Sequence, residues 1–285
     1  MVNSVKIIEC PRDAMQGIKS HFIPTEAKAK YINSLLKVGF DTIDFGSFVS
    51  PKAIPQMRDT AEVLSKLDLS ATKSKLLAIV ANVRGANDAS QFEEIDYLGY
   101  PFSISENFQM RNTHKTIEQS IDTLKEVLAI ANRTNKEVVA YLSMGFGNPY
   151  GDPWSVEIVG EWTEKLSSFG VKILSLSDTI GSSTPEDINY LFSNLIPSYP
   201  QIEFGAHLHT TPAKWHEKVD SAFKAGCRRF DGAIKGYGGC PMAKDELTGN
   251  MPTEKLLSYF TANKITTNIK PMSFESAYNK ALEVF

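Results

Sequence analysis

The chain has 285 residues, 42% hydrophobic and 22% charged, with a formal net charge of -3. A chain of this size and composition builds a core without disulfide staples, and without a dense run of Lys and Arg it excludes nucleic acid and an anionic membrane surface as partners. Cys10, Cys227 and Cys240 are odd in number and lie outside any metal-finger spacing; with no secretion signal in MVNSVKIIECPRD and no apolar run near ~20 residues, the expectation is a cytoplasmic protein with no membrane span.

Along the chain, short β-branched runs alternate with longer amphipathic ones. VKIIEC predicts a strand near 5–10, followed by a helix in PTEAKAKYINSLLKVGF. DTIDFG near 41–46, KLLAIVAN near 75–82 and DYLGYPFSI near 96–104 read as the next three strands, before the long helical pattern HKTIEQSIDTLKEVLAIANRTN. EVVAYLSMG near 137–145 precedes the helix SVEIVGEWTEKLSSFGV, and KILSLSDT near 172–179 precedes TPEDINYLFSNLI. IEFGAHLH near 202–209 and RRFDGAIKG near 228–236 complete the set. Thr184 before Pro185, with Glu186 and Asp187 following, marks a helix start, and Gly39, Gly170 and Gly226 fall where helices end. No linker-like tract divides the chain. Eight strands predict one α/β domain over 1–285: a single (β/α)8 TIM barrel over about 5–263, with a short C-terminal helical extension over about 264–285. An open doubly wound sheet is the structural alternative.

In such a barrel, reactive residues collect at the carboxyl ends of the strands. There the sequence puts Arg12 and Asp13 after the first strand, Ser175 and Asp178 in the sixth, His207 and His209 in the seventh, and GYGGCPMAKDELTGN after the eighth. Residues i and i+2 of a strand face the same way, so His207 and His209 present two imidazoles together, a pair able to hold a metal or simply to bond to backbone. Imidazoles suit Zn, Mn, Fe or Co; a carboxylate such as Asp13 and an amide oxygen such as Asn250 shift the preference to Mg or Mn. Three glycines before Cys240 let that loop fold over a ligand, whereas Cys10 and Cys227 read as buried apolar residues. Arg12 and Asp13 also read as an ion pair, and Asp178 as a helix-capping acid.

Together PRDAMQG, SFVSPK, YLS, SLSDTIG, HLH and GYGGCPMAK...TGN resemble the 3-hydroxy-3-methylglutaryl-CoA lyase family of metal-dependent aldolase-like barrels, from the first strand to the eighth helix. The resemblance implies retro-Claisen cleavage of 3-hydroxy-3-methylglutaryl-CoA to acetyl-CoA and acetoacetate, with a divalent cation, Mg or Mn, on Asp13, His207, His209 and Asn250, and no organic prosthetic group. It implies that Arg12 stabilises the enolate oxygen on the thioester carbonyl and that Cys240 protonates the acetyl-CoA carbanion. Gln16, Tyr141, Ser175 and Asp178 match pocket positions, and Lys52 or Arg84 meets the CoA phosphates. A homodimer or higher homo-oligomer follows by analogy.

Three departures stand out. Asp44 replaces a family Glu, Thr210 and Thr211 follow HLH in place of an acidic or amide residue and Thr, and the loop after Cys240 is one residue longer, with Asp245 and Glu246. They leave two rival readings: a condensing synthase or a lyase for a related 3-hydroxy-acyl-CoA on the same scaffold, and a non-catalytic barrel that binds CoA esters. The Cys240 loop and the lack of a long C-terminal extension after Phe285 argue against the synthase.

Overall fold

The computed structural model describes residues 4–239 and 248–285. Eight parallel strands form in the predicted order: β1 (Lys6–Glu9), β2 (Thr42–Ser47), β3 (Lys75–Ile79), β4 (Ile95–Ser103), β5 (Glu137–Ser143), β6 (Ile173–Asp178), β7 (Glu203–Thr210) and β8 (Arg229–Gly232). Each pairs with the next, and β8 returns to β1 with Asp231 opposite Ile8, so the sheet closes into a barrel. The closure decides between the two predicted architectures in favour of the (β/α)8 barrel.

Alternation along the strands sorts the apolar residues into two compartments. Leu77 and Ile79 of β3, Tyr97 of β4, Val139 and Tyr141 of β5 and Ile173 of β6 form a small cluster of their own. Their neighbours, such as Leu76, Ala78, Val138 and Ala140, join the much larger cluster shared with the helices. The small cluster fills the barrel, and the large one bonds the sheet to its helical coat. At ~25 cal/mol per Å2 of apolar surface, that layer supplies the main driving force for folding.

Helix ends follow the local chemistry read from the sequence. The Thr184 hydroxyl accepts the Asp187 N–H with Pro185 in the first turn, and Thr116 and Gln119 form a reciprocal capping box at the start of Ile117–Arg133. The C-terminal tail is a helix, Pro271–Val284, packed against Thr25–Leu36. Phe285 meets Tyr31 edge-on at 5.8 Å and Phe274 meets Phe40 at 6.4 Å, while the Lys270 N–H donates to the Val38 carbonyl at 2.8 Å.

Local structure near the rim differs from expectation in two places. Arg12 and Asp13 follow β1 as expected but lie in a short helix, Pro11–Gln16, that no sequence pattern predicted; Pro11 begins it where a missing N–H costs nothing. The strand predicted to reach residue 236 stops at Gly232, and a two-residue strand β9 (Gly249–Asn250) lies antiparallel on β7, with Asn250 opposite His209.

Behind the rim, Lys218 of the helix Trp215–Lys224 is fully buried. Its Nζ donates to Asp178 Oδ2 at 2.6 Å, to the His209 carbonyl at 2.9 Å and to the Gly181 carbonyl at 3.1 Å. One cation thus pins the loop after β6 and the backbone of β7. Lys218→Met leaves a buried carboxylate without its counter-charge and should lower unfolding free energy by ~3–5 kcal/mol in denaturant titrations. Adding Asp178→Asn, which removes that charge, should recover part of the loss; no recovery would mean that the backbone bonds carry the effect.

Candidate metal centre and active site

Four of the expected residues converge above the barrel mouth. Asp13 Oδ1 accepts from Arg12 Nη1 at 2.9 Å and from Gln16 Nε2 at 2.6 Å, and Asp13 Oδ2 accepts from Asn250 Nδ2 at 2.7 Å. Asp13, His207 and His209 each bring one ligand atom to within 4.8 Å of the others. The second amide N–H of Asn250 is aimed at the Tyr237 carbonyl, at 2.8 Å, so its carbonyl oxygen is the atom that suits a cation.

Glycine is required where the chain crosses this cluster. Gly238 has φ +83°, and a Cβ there would lie 2.6 Å from the Asp13 carbonyl oxygen and 2.9 Å from Asn250 Nδ2. The glycine-rich stretch read from the sequence therefore lets backbone pass directly over the ligands.

His207 and His209 are held differently. His207 Nδ1 lies 3.1 Å from Asp231 Oδ2, which orients the ring and leaves Nε2 for a cation. Burial disfavours its charged form, but the bond and charge of Asp231, with the charge of Asp13, outweigh this and raise its pKa above 6.5. Both ring nitrogens of His209 are buried and have no hydrogen-bond partner among the described residues. Burial, and then the neighbouring His207, push its pKa down to about 4. A neutral, buried, unpartnered imidazole costs desolvation free energy that a bound cation would recover. Asp13 stays ionised: burial pushes its pKa up, yet Arg12, the two histidines and Asn250 together hold it below its ordinary value. The residues present fit a divalent cation.

Arg12 is 7% exposed and clasped by two acids. Nε reaches both Asp44 oxygens at 3.1 Å, Nη2 reaches Asp44 Oδ2 at 2.5 Å, and Nη1 reaches Asp13. Asp44 thus spans the gap to Arg12 with its short side chain. Burial, opposed by Arg12, places its pKa at about 6. The guanidinium keeps its charge at any working pH.

Above these groups opens a cavity of about 400 Å3. Arg12, Asp13, Gln16, Tyr141, His207 and His209 line it, and Val49, Ile54, Ile79, Pro101 and Phe108 give it an apolar wall. The Tyr141 hydroxyl is buried and has no partner among the described residues. Asp44, Ser175 and Asp178 do not line the cavity. Ser175 Oγ points to Asp231 Oδ2 at 3.4 Å. Asp178 accepts from the Ser183 N–H and hydroxyl as well as from Lys218, so it braces the loop after β6, close to the capping alternative. Lys52 and Arg84 are exposed outside this cavity, Arg84 on a shallow neighbouring groove. Cys240, Asp245 and Glu246 lie outside the described residues.

Two features escaped the sequence reading. One is Asp231, an acid two residues after Arg229 within the buried strand β8; a carboxylate in a buried strand was the available signal. The other is the wall of the cavity formed by Asn112, Thr113, His114 and Lys115 after β4, which no local motif marks.

Comparison with known proteins gives a consistent picture. The HMGL-like family model matches residues 5–280. Hydroxymethylglutaryl-CoA lyase YngG of Bacillus subtilis is 34% identical over 260 residues, 91% of this chain and 86% of that protein. The crystal structure of the Bacillus subtilis HMG-CoA lyase superposes with a TM-score of 0.92 at 33% identity, covering 99% of this chain and 93% of that one. An HMG-CoA lyase from Acinetobacter baumannii, in complex with coenzyme A and 3-methylmalate, has a TM-score of 0.90 at 28% identity over 100% of this chain and 92% of that one.

Cations and protons compete for His207, because a ligating imidazole must be neutral. Mn2+ affinity, followed by loss of the free-ion electron paramagnetic signal, should fall as pH drops through the raised His207 pKa. His209, with its pKa near 4, should contribute no second step in that range. Asp231→Asn should move the step to lower pH and weaken Mn2+ by about 10–100-fold. An unchanged affinity and an unmoved step would remove Asp231 from the site.

Proposed function

The chain belongs to the HMGL-like family, and on that premise we infer that it is a hydroxymethylglutaryl-CoA lyase, a carbon–carbon lyase that cleaves 3-hydroxy-3-methylglutaryl-CoA to acetyl-CoA and acetoacetate. The observation that carries the inference is the gathering of Arg12, Asp13, His207 and His209 on one side of a largely apolar cavity.

Asp13, His207, His209 and the Asn250 oxygen would hold the cation, and this mixed nitrogen and oxygen set favours Mg or Mn. When bound, such an ion supplies Lewis acidity and a template for the substrate's oxygens. The chain's own residues supply the rest. Cleavage needs the proton of the tertiary hydroxyl removed and the electron pair of the breaking bond received on the thioester carbonyl. Arg12 spends three of its N–H donors on Asp44 and Asp13, which leaves two of the five that a guanidinium carries. Those two stabilise the enolate oxygen as its charge grows, in a cavity with an apolar wall. Gln16 and Tyr141 shape the acyl end of the pocket, and Cys240 returns a proton to the carbanion. Asp44, Ser175 and Asp178 act one step back, by holding Arg12, Asp231 and the loop after β6.

Free, buried Cys10 and Cys227 support a reducing, cytoplasmic setting, and no helix among the described residues is long and apolar enough to cross a membrane. A homo-oligomer is the assembly we propose, to be checked by light scattering.

Acetyl-CoA and acetoacetate release from 3-hydroxy-3-methylglutaryl-CoA should require Mg2+ or Mn2+ and cease with a chelator. Arg12→Ala should lower kcat by about 10²–10³-fold with little change in KM, as for loss of a donor that acts in the transition state. A chain that binds Mn2+ yet leaves this thioester intact would shift the reading to a related 3-hydroxy-acyl-CoA.

A further inference from the structure

Beneath the centre, on the barrel side of His207, lies a second group of donors. Cys10 Sγ, a His207 nitrogen and an Asp231 oxygen lie within 4.8 Å of one another. Cys10 is 0% exposed and Asp231 3% exposed, and Cys10 carries a free thiol. Asp231 Oδ2 takes His207 and Ser175, but Oδ1 is buried and has no partner among the described residues. The Tyr141 hydroxyl is equally unpartnered, and its ring stands edge-on to His207 at 5.5 Å.

We propose that Cys10, His207 and Asp231 form an inner cation site, distinct from the Asp13 and His209 set and selective for thiophilic ions such as Zn2+ or Cd2+. Sulfur, nitrogen and oxygen donors at about 2.0–2.3 Å make a tetrahedral shell for Zn2+, with the fourth place open to water or the Tyr141 hydroxyl. A thiolate selects soft ions, whereas the outer set of carboxylate, amide and imidazoles suits hard ones. Binding releases the Cys10 thiol proton to solvent, so that the thiolate ligates.

His207 makes the two sites exclude each other. With Nδ1–H given to Asp231, Nε2 serves the outer set. An ion at the inner site takes Nδ1, and the imidazole proton moves to Nε2, which removes a ligand from the outer set. Loading of the inner site therefore switches the outer one off by a change of tautomer. The site would make the protein sensitive to thiophilic ions, and this stands or falls apart from the identity of the acyl-CoA substrate.

The test uses the full chain, stripped of metal, in a Cys240→Ser background, so that Cys10 and Cys227 are the remaining thiols. Cd2+ titration should raise a thiolate-to-cadmium ultraviolet charge-transfer band that saturates at one equivalent, and cadmium NMR should show a sulfur ligand. Adding Cys10→Ser should abolish the band while Mn2+ still binds. Asp231→Asn should weaken Cd2+ by at least about tenfold. His209→Ala should keep the band and lose Mn2+. The proposal is overturned if the band survives Cys10→Ser, if His209→Ala removes it, or if cadmium NMR on the Cys240→Ser chain shows only nitrogen and oxygen ligands.

Discussion

The ion chain Asp44–Arg12–Asp13 is the interaction on which the rest of the site depends. A cation pocket must concentrate negative charge inside a barrel, where three carboxylates, Asp13, Asp44 and Asp231, are all at most 8% exposed. Left to themselves, such groups would protonate or repel one another. Arg12 lies between two of them and His207 bonds the third, so each acid is compensated while Asp13 still lines the cavity. Arg12 is thereby fixed as well, and a donor whose orientation is set beforehand spends little entropy when a substrate oxygen arrives.

The same logic continues downward. Arg229 is 1% exposed, two residues before Asp231 on β8, and its guanidinium lies 3.6 Å from Glu203 and 3.7 Å from Asp41, beyond hydrogen-bonding distance. Gly205 leaves room for it: a Cβ there would stand 3.1 Å from the Arg229 Cδ. The barrel thus buries charged groups, Arg229 and Asp231 among them, beside the small apolar cluster that fills it. Buried pairs of this kind add little net stability over well-packed hydrophobic residues, so their presence speaks for what the barrel does at its mouth.

Periodicity and local signals carried the architecture. Eight strand-like runs, the cap at Thr184 and the glycine stops each act over a few residues, and the folded chain respects them. The pairing of His207 with His209 was legible because a strand repeats every two residues. Contacts made across the fold were not legible. Asp231 meets His207 only because β8 lies between β7 and β1, and Lys218 meets Asp178 across 40 residues of chain. A motif reading assigns Asp178 to the pocket by its position in SLSDTIG, while its bonds direct it to a brace behind the pocket. Lys52 and Arg84 carry the right charge for phosphate but lie outside the cavity, since the sequence shows charge and not direction.

The crossing at Gly238 and the strand β9 have one further consequence. Gly238 packs on Asp13 and Ala14, a Cβ on Gly239 would stand 3.0 Å from the Thr248 carbonyl, and Asn250 is paired with His209. Both ends of the stretch 240–247 are therefore clamped side by side on the ion-binding framework, and joining two fixed, adjacent points costs only about (3/2)RT ln n in chain entropy. A change in the length of the connecting segment therefore costs little chain entropy. The ion centre thus doubles as an anchorage: the residues that hold the cation also fix where the chain leaves at Gly239 and returns at Thr248.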